Sequence, residues 1–312
     1  MAATHRPRLL SAADRTTLAE LLGARARFDE PLAAHTSWKI GGPADVFALV
    51  ENDAELAAVL ALAARRRLPW FVLGSGSNLL VGDGGIAGIV VRLGGDYARI
   101  DADVEGERVV MRVGASAGMP LVVAQGATLG ALGIDALAGI PGSFGGSLRM
   151  NAGTDRELGE FVRDVWVQTP VKPDAHAVTP HFFYRHTTLA RDAVVARATL
   201  VFERGDGASV RERTQARLVK RKGSQPLQWP SAGSCFRNPP GDKAGRLIEA
   251  AGCKGLRIGT AEVSEVHANF IVNRGEATAA DTAALLARVR RSVTEQFGIE
   301  LELEVHFVGV FV

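Results

Sequence analysis

A glycine cluster, Gly74-Ser-Gly76-Ser-Asn78, stands between two runs that both read as strands. Pro69-Trp-Phe-Val-Leu73 precedes it; Leu79-Leu-Val81 and Ile89-Val-Val-Arg-Leu93 follow, apolar and rich in β-branched residues. Glycines after a strand let the backbone approach a pyrophosphate and aim its N–H groups at it. In the doubly wound nucleotide-binding unit such a turn opens a helix, whose N-terminus adds a dipole and further N–H groups. Here the sixth position is Leu79 rather than Gly or Ala, and no helical pattern follows. The doubly wound unit is therefore excluded, and on its own the cluster reads as an ordinary Gly/Ser turn.

A second cluster, Gly139-Ile140-Pro141-Gly142-Ser143-Phe-Gly145-Gly146, changes that reading, and Met150-Asn151-Ala152-Gly153 extends it. Two separated donor-rich loops suit a cofactor with two phosphates. A third pair, Gly41-Gly42, precedes a strand at 46–50. Around the clusters, residues 53–66 read as a helix capped by Asn52 or Asp53, with Leu56, Val59, Leu60 and Ala63 on one face. Residues 108–113 read as a strand, and 120–132 as a helix with Pro120 in its first turn and Gly133 at its end. Strands at 162–168 and 193–202 lead to the polar turn at 203–207. Beyond it come a basic helix at 208–221, a proline-flanked linker to Pro230, a helix at 244–251, a strand at 267–273, a helix at 279–297 and a strand at 301–308.

A chain of 312 residues with 47% hydrophobic and 22% charged residues is long enough for two domains or three small ones, and its proportions exclude disorder over most of its length. The net charge is +2, so no global field draws it to nucleic acid, and an anionic partner must be bound locally. Basic residues at 211–222 read as a solvated helix face, and no stacking aromatics accompany them. Two cysteines, Cys235 and Cys253, form no C-x-x-C pair, which disfavours a disulfide scaffold or thiolate zinc site and fits a reducing cytoplasm. The N-terminus lacks the apolar core of a signal peptide. The most membrane-like stretch, 121–140, holds Gln125, Thr128 and Asp135 and reads as a buried helix and turn. His176, His181 and His186 have no companion carboxylate or thiolate, so no metal site is expected.

Several motifs together resemble the UDP-N-acetylenolpyruvoylglucosamine reductase family of bacterial flavoproteins. They are Trp38-Lys-Ile40-Gly41-Gly42-Pro-Ala-Asp45, Val72-Leu-Gly74-Ser75-Gly76-Ser77-Asn78-Leu79-Leu-Val81, Leu137-Ala-Gly139-Ile140-Pro141-Gly142 with Gly145-Gly146, and Met150-Asn151-Ala152-Gly153. The likeness continues through Tyr184-Arg185, Pro230-Ser-Ala-Gly-Ser234-Cys-Phe-Arg-Asn238-Pro239, Ala244-Gly-Arg-Leu-Ile-Glu-Ala-Ala-Gly252, Val266-His267-Ala-Asn-Phe-Ile-Val272 and Leu301-Glu-Leu-Glu304-Val-His-Phe307, in the family's order from about residue 33 onward. The resemblance implies an α+β, vanillyl-alcohol-oxidase-like (PCMH-type) FAD fold. Its FAD-binding subdomains would be 1–95, with an N-terminal helix, and 96–205, followed by a C-terminal α/β substrate domain at 206–312. It implies that NADPH reduces a non-covalent FAD, which passes hydride to UDP-N-acetylglucosamine enolpyruvate to give UDP-N-acetylmuramate for peptidoglycan synthesis. A cytoplasmic monomer that binds neither nucleic acid nor membrane is expected.

By the same resemblance, Arg185 meets the substrate carboxylate, Glu304 is a second stabilising or proton-handling group, and Ser234 protonates the carbon. The glycine-loop residues named above, with Ser143, hold FAD, while Tyr184, Lys222, Ser224, Asn238 and His267 touch the nucleotide sugar. From the residues alone, Arg185 is a strand-end charge and Ser234 a turn serine, with Ser231 three residues upstream as its rival. Alternation along 301–306 places Glu302, Glu304 and His306 on one face without choosing among them. The family more often has proline at Leu303 and arginine at His306. Oxidases of the same superfamily, the nearest alternative, commonly attach flavin to a histidine in the first loop, where this chain has Ser77. A non-catalytic nucleotide-binding relative would lack the Arg185, Ser234 and Glu304 set. Longer family members carry a tyrosine-bearing insertion over the nucleotide; here that connection is only 203–207, and Tyr97 and Tyr184 both precede it. The shorter subclass, with an open cleft, is therefore expected.

Overall fold

The computed structural model describes residues 9–312; the part of the N-terminal reading that falls on residues 1–8 lies outside it. In the first unit, Ser11 begins α1 (Ala12–Leu22) through a capping box with Asp14. Strands β1 (Ala26–Pro31), β2 (Pro43–Val50), β3 (Trp70–Val72) and β5 (Ile86–Leu93) form a sheet of order β1-β2-β5-β3, with β5 parallel to both neighbours. The crossover from β2 is α2 (Asp53–Arg66), capped by Asn52 and burying Leu56, Val59, Leu60 and Ala63 as the periodicity predicts. Strand β4 (Leu79–Val81), directly after the glycine loop, leaves this sheet.

The second unit is an antiparallel sheet of order β6-β7-β12-β8-β9, built from β6 (Ile100–Glu105), β7 (Arg108–Gly114), β8 (Val162–Gln168), β9 (His176–Val178) and β12 (Val194–Glu203). Helices α3 (Met119–Leu129) and α4 (Phe144–Arg149) and the hairpin of β10 (Phe182–Phe183) and β11 (His186–Thr187) complete it. Helix α3 ends earlier than predicted. Gly130 adopts φ 82° as its C-cap, and Gly133 instead opens a 3₁₀ turn, Ile134–Leu137. One apolar core joins α1, α2, α3 and both sheets.

The remainder contains α5 (Gly207–Ser224), α6 (Ala244–Ala250), a sheet of β13 (Arg257–Ile258), β14 (Ala261–Val263) and β15 (Ile271–Asn273), α7 (Ala279–Phe297) and β16 (His306–Val308). Two strand predictions are shortened. Residues 267–270 turn, with the Phe270 N–H donating to the His267 carbonyl, so β15 begins at Ile271. Residues 301–305 cross the 235–237 segment through scattered backbone bonds, which leaves only His306–Val308 as regular strand. The second core draws in Trp38, Ile40 and Leu80 from the first unit. Trp38 donates to the Ile271 carbonyl at 2.7 Å, Asn273 donates to the Trp38 carbonyl at 3.0 Å, and the Asp83 carboxylate accepts the Ala279 and Ala280 N–H groups that open α7. Beside them β4 pairs in parallel with β16, Leu79 opposite His306. That pairing sets the C-terminal strand next to the first glycine loop.

Candidate active site

The two glycine loops meet face to face. A side chain on Gly74 would start 2.6 Å from Ser143 Oγ, and one on Gly142 2.5 Å from Ser77 Oγ. Next to this contact lies a cavity of about 450 Å³, bordered by the ends of β3 and β5, the segment after β7 and the start of β12. Gly74, Ser143, Gly145, Gly146, Arg92 and Arg149 line it. Backbone bonds from Met119 to Gly142 and from Phe144 to Ala117 splice the second loop along the segment that carries Ser116. Ser116 Oγ, also in the lining, is buried without a hydrogen-bond partner.

Arg92 donates to the Gly74 carbonyl, and Arg149 to the Ala190 and Ala193 carbonyls. Carbonyls hold their direction without cancelling their charge, and burial pushes both guanidinium groups below the ordinary arginine range. An unsatisfied hydroxyl and two cations beside glycine loops fit the diphosphate of FAD. Ser116, Arg92 and Arg149 were not singled out from the sequence. Arg92 alone left a trace there, as a charge inside an otherwise apolar strand run.

At the edge of the first loop the structure brings together residues far apart in sequence. Arg185 sits in the β10–β11 turn with φ 56°, an unusual left-handed position for a side chain of its size. Its Nε donates to Glu304 Oε1 at 3.0 Å and its Nη2 to the Gly153 carbonyl at 3.1 Å; Nη1 is buried without a hydrogen-bond partner. Glu304 is tied to the glycine loop as well, since Asn78 Nδ2 donates to its carbonyl at 3.0 Å and the His306 N–H donates to the Asn78 carbonyl. Its own N–H donates to the Cys235 carbonyl at 2.8 Å, so the residue that follows Ser234 in sequence is bonded to Glu304. Burial pushes the Glu304 carboxyl up, against the pull of Arg185 and Arg237. Cys235 is fully buried and its thiol is pushed up to about 12, as befits a small packed residue.

Other predicted residues divide into those beside this centre and those held by structural bonds. Tyr184 is exposed, its ring stacked 4.7 Å from the Arg185 guanidinium. Asn151 is buried, with its amide group donating to Glu157 and to the Phe183 carbonyl and accepting from the Gly159 N–H. Gly41 and Gly42 sit where backbones cross, the Gly42 N–H donating to the Gly82 carbonyl. Asn238 Oδ1 accepts the first N–H of α6, and His267 Nδ1 accepts the Asn269 N–H. Burial lowers the His267 pKa. Lys222 and Ser224 lie exposed at the end of α5, with Ser224 Oγ turned back to the Lys220 carbonyl. The basic helix face is not simply solvated: Arg217 bridges Asp135 at 2.9 Å and Asp155 at 2.6 Å, and Arg221 donates to the Ala138 carbonyl.

Residues 44–170 match the family described as FAD binding domain. With the cleft above, this makes the protein an FAD-dependent oxidoreductase of α+β fold. Residues 225–308 match the UDP-N-acetylenolpyruvoylglucosamine reductase C-terminal domain. The reductase of that name from Moorella thermoacetica is 45% identical over 285 residues, covering 90% of this chain and 92% of the relative. UDP-N-acetylenolpyruvoylglucosamine reductase 2 from Symbiobacterium thermophilum is 45% identical over 291 residues, covering 91% and 92%. The crystal structure of the Thermus caldophilus reductase superposes with a TM-score of 0.77 at 36% identity, covering 91% of this chain and all of that one. The chain belongs to the UDP-N-acetylenolpyruvoylglucosamine reductase family.

Proposed function

We propose that the protein uses NADPH to reduce UDP-N-acetylglucosamine enolpyruvate to UDP-N-acetylmuramate, as a cytoplasmic monomer that supplies peptidoglycan synthesis. The observation that carries this reading is the 3.0 Å contact between Arg185 and Glu304, 119 residues apart, anchored through Asn78 to the glycine loop. Bound non-covalently, FAD supplies the hydride chemistry that connects NADPH to the enolpyruvyl ether. Residues 1–95 and 96–205 hold it, and 206–312 supply the substrate side. Residues 40–42, 74–79 and 139–143, with Gly145 and Gly146 in the first turn of α4 and residues 151–153 beyond it, surround the cofactor, those with committed side chains contributing backbone.

Hydride addition to the methylene carbon leaves negative charge on the adjacent carbon and its carboxylate. The Nη1 arm of Arg185, buried and without a hydrogen-bond acceptor, is placed to receive that carboxylate. Glu304, whose burial favours the protonated form, can donate to the developing charge. Ser234 delivers the proton to carbon, a task open to a weak acid because the carbanion is strongly basic. Tyr184 beside Arg185, together with Lys222, Ser224, Asn238 and His267 on the C-terminal side, contact the nucleotide sugar.

The purified protein should be yellow, release all of its flavin on denaturation, and give from NADPH and the enolpyruvyl substrate a product heavier by two hydrogens in mass spectrometry. A colourless protein that FAD cannot reconstitute would overturn the reading. Flavin that stays on the chain would favour a covalent oxidase, which Ser77 in the first loop argues against.

A further inference from the structure

We propose that Glu157 is a positioning residue for this reaction, holding Arg185 from the Nη1 side and standing in for the carboxylate that is to occupy that arm. The proposal rests on the reductase reading above. The three guanidinium nitrogens have separate surroundings. Nε is bonded to Glu304 and Nη2 to the Gly153 carbonyl, while Nη1 faces Glu157 Oε1 at 3.5 Å without a hydrogen bond. This is an ion pair with its donor unspent. Both partners are mostly buried, so the charge at this arm is poorly screened.

Glu157 does not close the gap because its other oxygen is held. Oε2 accepts from Asn151 Nδ2 at 2.5 Å, and the Glu157 backbone N–H donates to Glu160 Oε1 at 2.7 Å where the 3₁₀ turn Leu158–Phe161 begins. Asn151 donates to the Phe183 carbonyl as well, two residues before Arg185. One buried amide therefore fixes both the carboxylate and the turn that carries the arginine. The charged groups around Glu157 are Arg185, Glu160, itself paired with Arg156 at 2.8 Å, and Glu304 across the guanidinium. An arriving substrate carboxylate competes with Glu157 for Nη1. In return, Glu157 keeps the arginine in its strained conformation until the substrate arrives.

Glu157→Gln keeps an acceptor for Asn151 and removes the charge. With the competitor gone, KM for the enolpyruvyl substrate should fall about threefold to tenfold. Reoxidation of the NADPH-reduced enzyme by that substrate should slow about tenfold, because the guanidinium has lost an anchor. Reduction by NADPH should stay unchanged. Glu157→Asp, which retracts the charge by one methylene, should fall between wild type and Glu157→Gln in both parameters. It serves alone if the Gln variant does not fold.

The assay is anaerobic stopped-flow absorbance on the holoenzyme, alongside steady-state KM. Wild-type values in either variant would overturn the proposal, as would equal losses in both half-reactions, the mark of a residue that only supports the fold. If the reduced wild-type enzyme is not reoxidised by the substrate at all, the reductase reading itself fails and the proposal falls with it.

Discussion

Alanine at Gly142 and at Gly74 should have unequal effects, because the two positions oppose a side chain for different reasons. At Gly74 the new methyl would lie 2.6 Å from Ser143 Oγ, and the next Ser143 atom, Cβ, is at an ordinary 3.9 Å. Rotating the serine relieves that clash at about 0.5–1.5 kcal/mol. At Gly142 the methyl would meet Ser77 Oγ at 2.5 Å, and the backbone has φ +102°. No side-chain rotation relieves that strain, which adds about 1–3 kcal/mol. Where FAD binding requires the second loop to face the first, the strain weakens binding. Since about 1.4 kcal/mol is tenfold in affinity, Gly142→Ala should weaken FAD binding about 10- to 1,000-fold, and Gly74→Ala only about threefold to tenfold. Combining Gly74→Ala with Ser143→Ala should restore affinity to that of Ser143→Ala alone, whereas Ser77→Ala should rescue Gly142→Ala only in part. Titrating apoprotein with FAD and following quenching of flavin fluorescence measures each Kd. Equal losses at the two glycines, or tight binding by Gly142→Ala, would refute the facing-loop geometry.

Two further expectations come from the same structure. Burial raises the Glu304 pKa above its ordinary 4.5, so the folded state holds this proton more tightly than the unfolded chain. The stability this contributes at acid pH is lost as pH rises through the folded-state pKa. Relative to wild type, Glu304→Gln should therefore gain in Tm as pH rises from 4.5 to 8 in thermal unfolding scans; a gap that moves the other way would contradict the assignment. Residues 203–207 should stay within about 1 Å when substrate binds, because the Arg204 N–H donates to the Glu107 carbonyl and the Gly205 N–H to the Gly130 carbonyl. Crystal structures with and without substrate would show whether this short connection instead swings over the nucleotide.

The first glycine loop could be read from the sequence because a Gly/Ser run between strands leaves little else for the chain to do there, whereas the second cluster runs on into α4 at Phe144. Helix α2 was equally legible, with apolar spacing and cap in agreement, and α7 runs over 279–297 as read. Gly130 and Gly133 were not distinguishable as the end of α3, since both tolerate the left-handed conformation and only tertiary contacts choose between them. The pairing of β4 with β16 joins two three-residue strands separated by most of the chain, a contact that no local pattern encodes. Glu304 illustrates the consequence. Alternation put it level with Glu302 and His306, and the bonds to Asn78 and Arg185 single it out. Glu157 lies in a polar stretch, Thr-Asp-Arg-Glu, whose sequence is that of any surface turn; its position against Arg185 comes from the buried Asn151.

As the proposed proton donor, Ser234 acts after the flavin has been reduced and not before. In anaerobic stopped-flow absorbance, Ser234→Ala should accept electrons from NADPH at the wild-type rate, since a proton donor used only in the second transition state contributes nothing to the first. Reoxidation by the enolpyruvyl substrate should slow by about 10²- to 10⁴-fold, the usual weight of a positioned general acid. Wild-type reoxidation in the variant, or equal losses in both steps, would contradict the assignment of the catalytic centre to Arg185, Ser234 and Glu304.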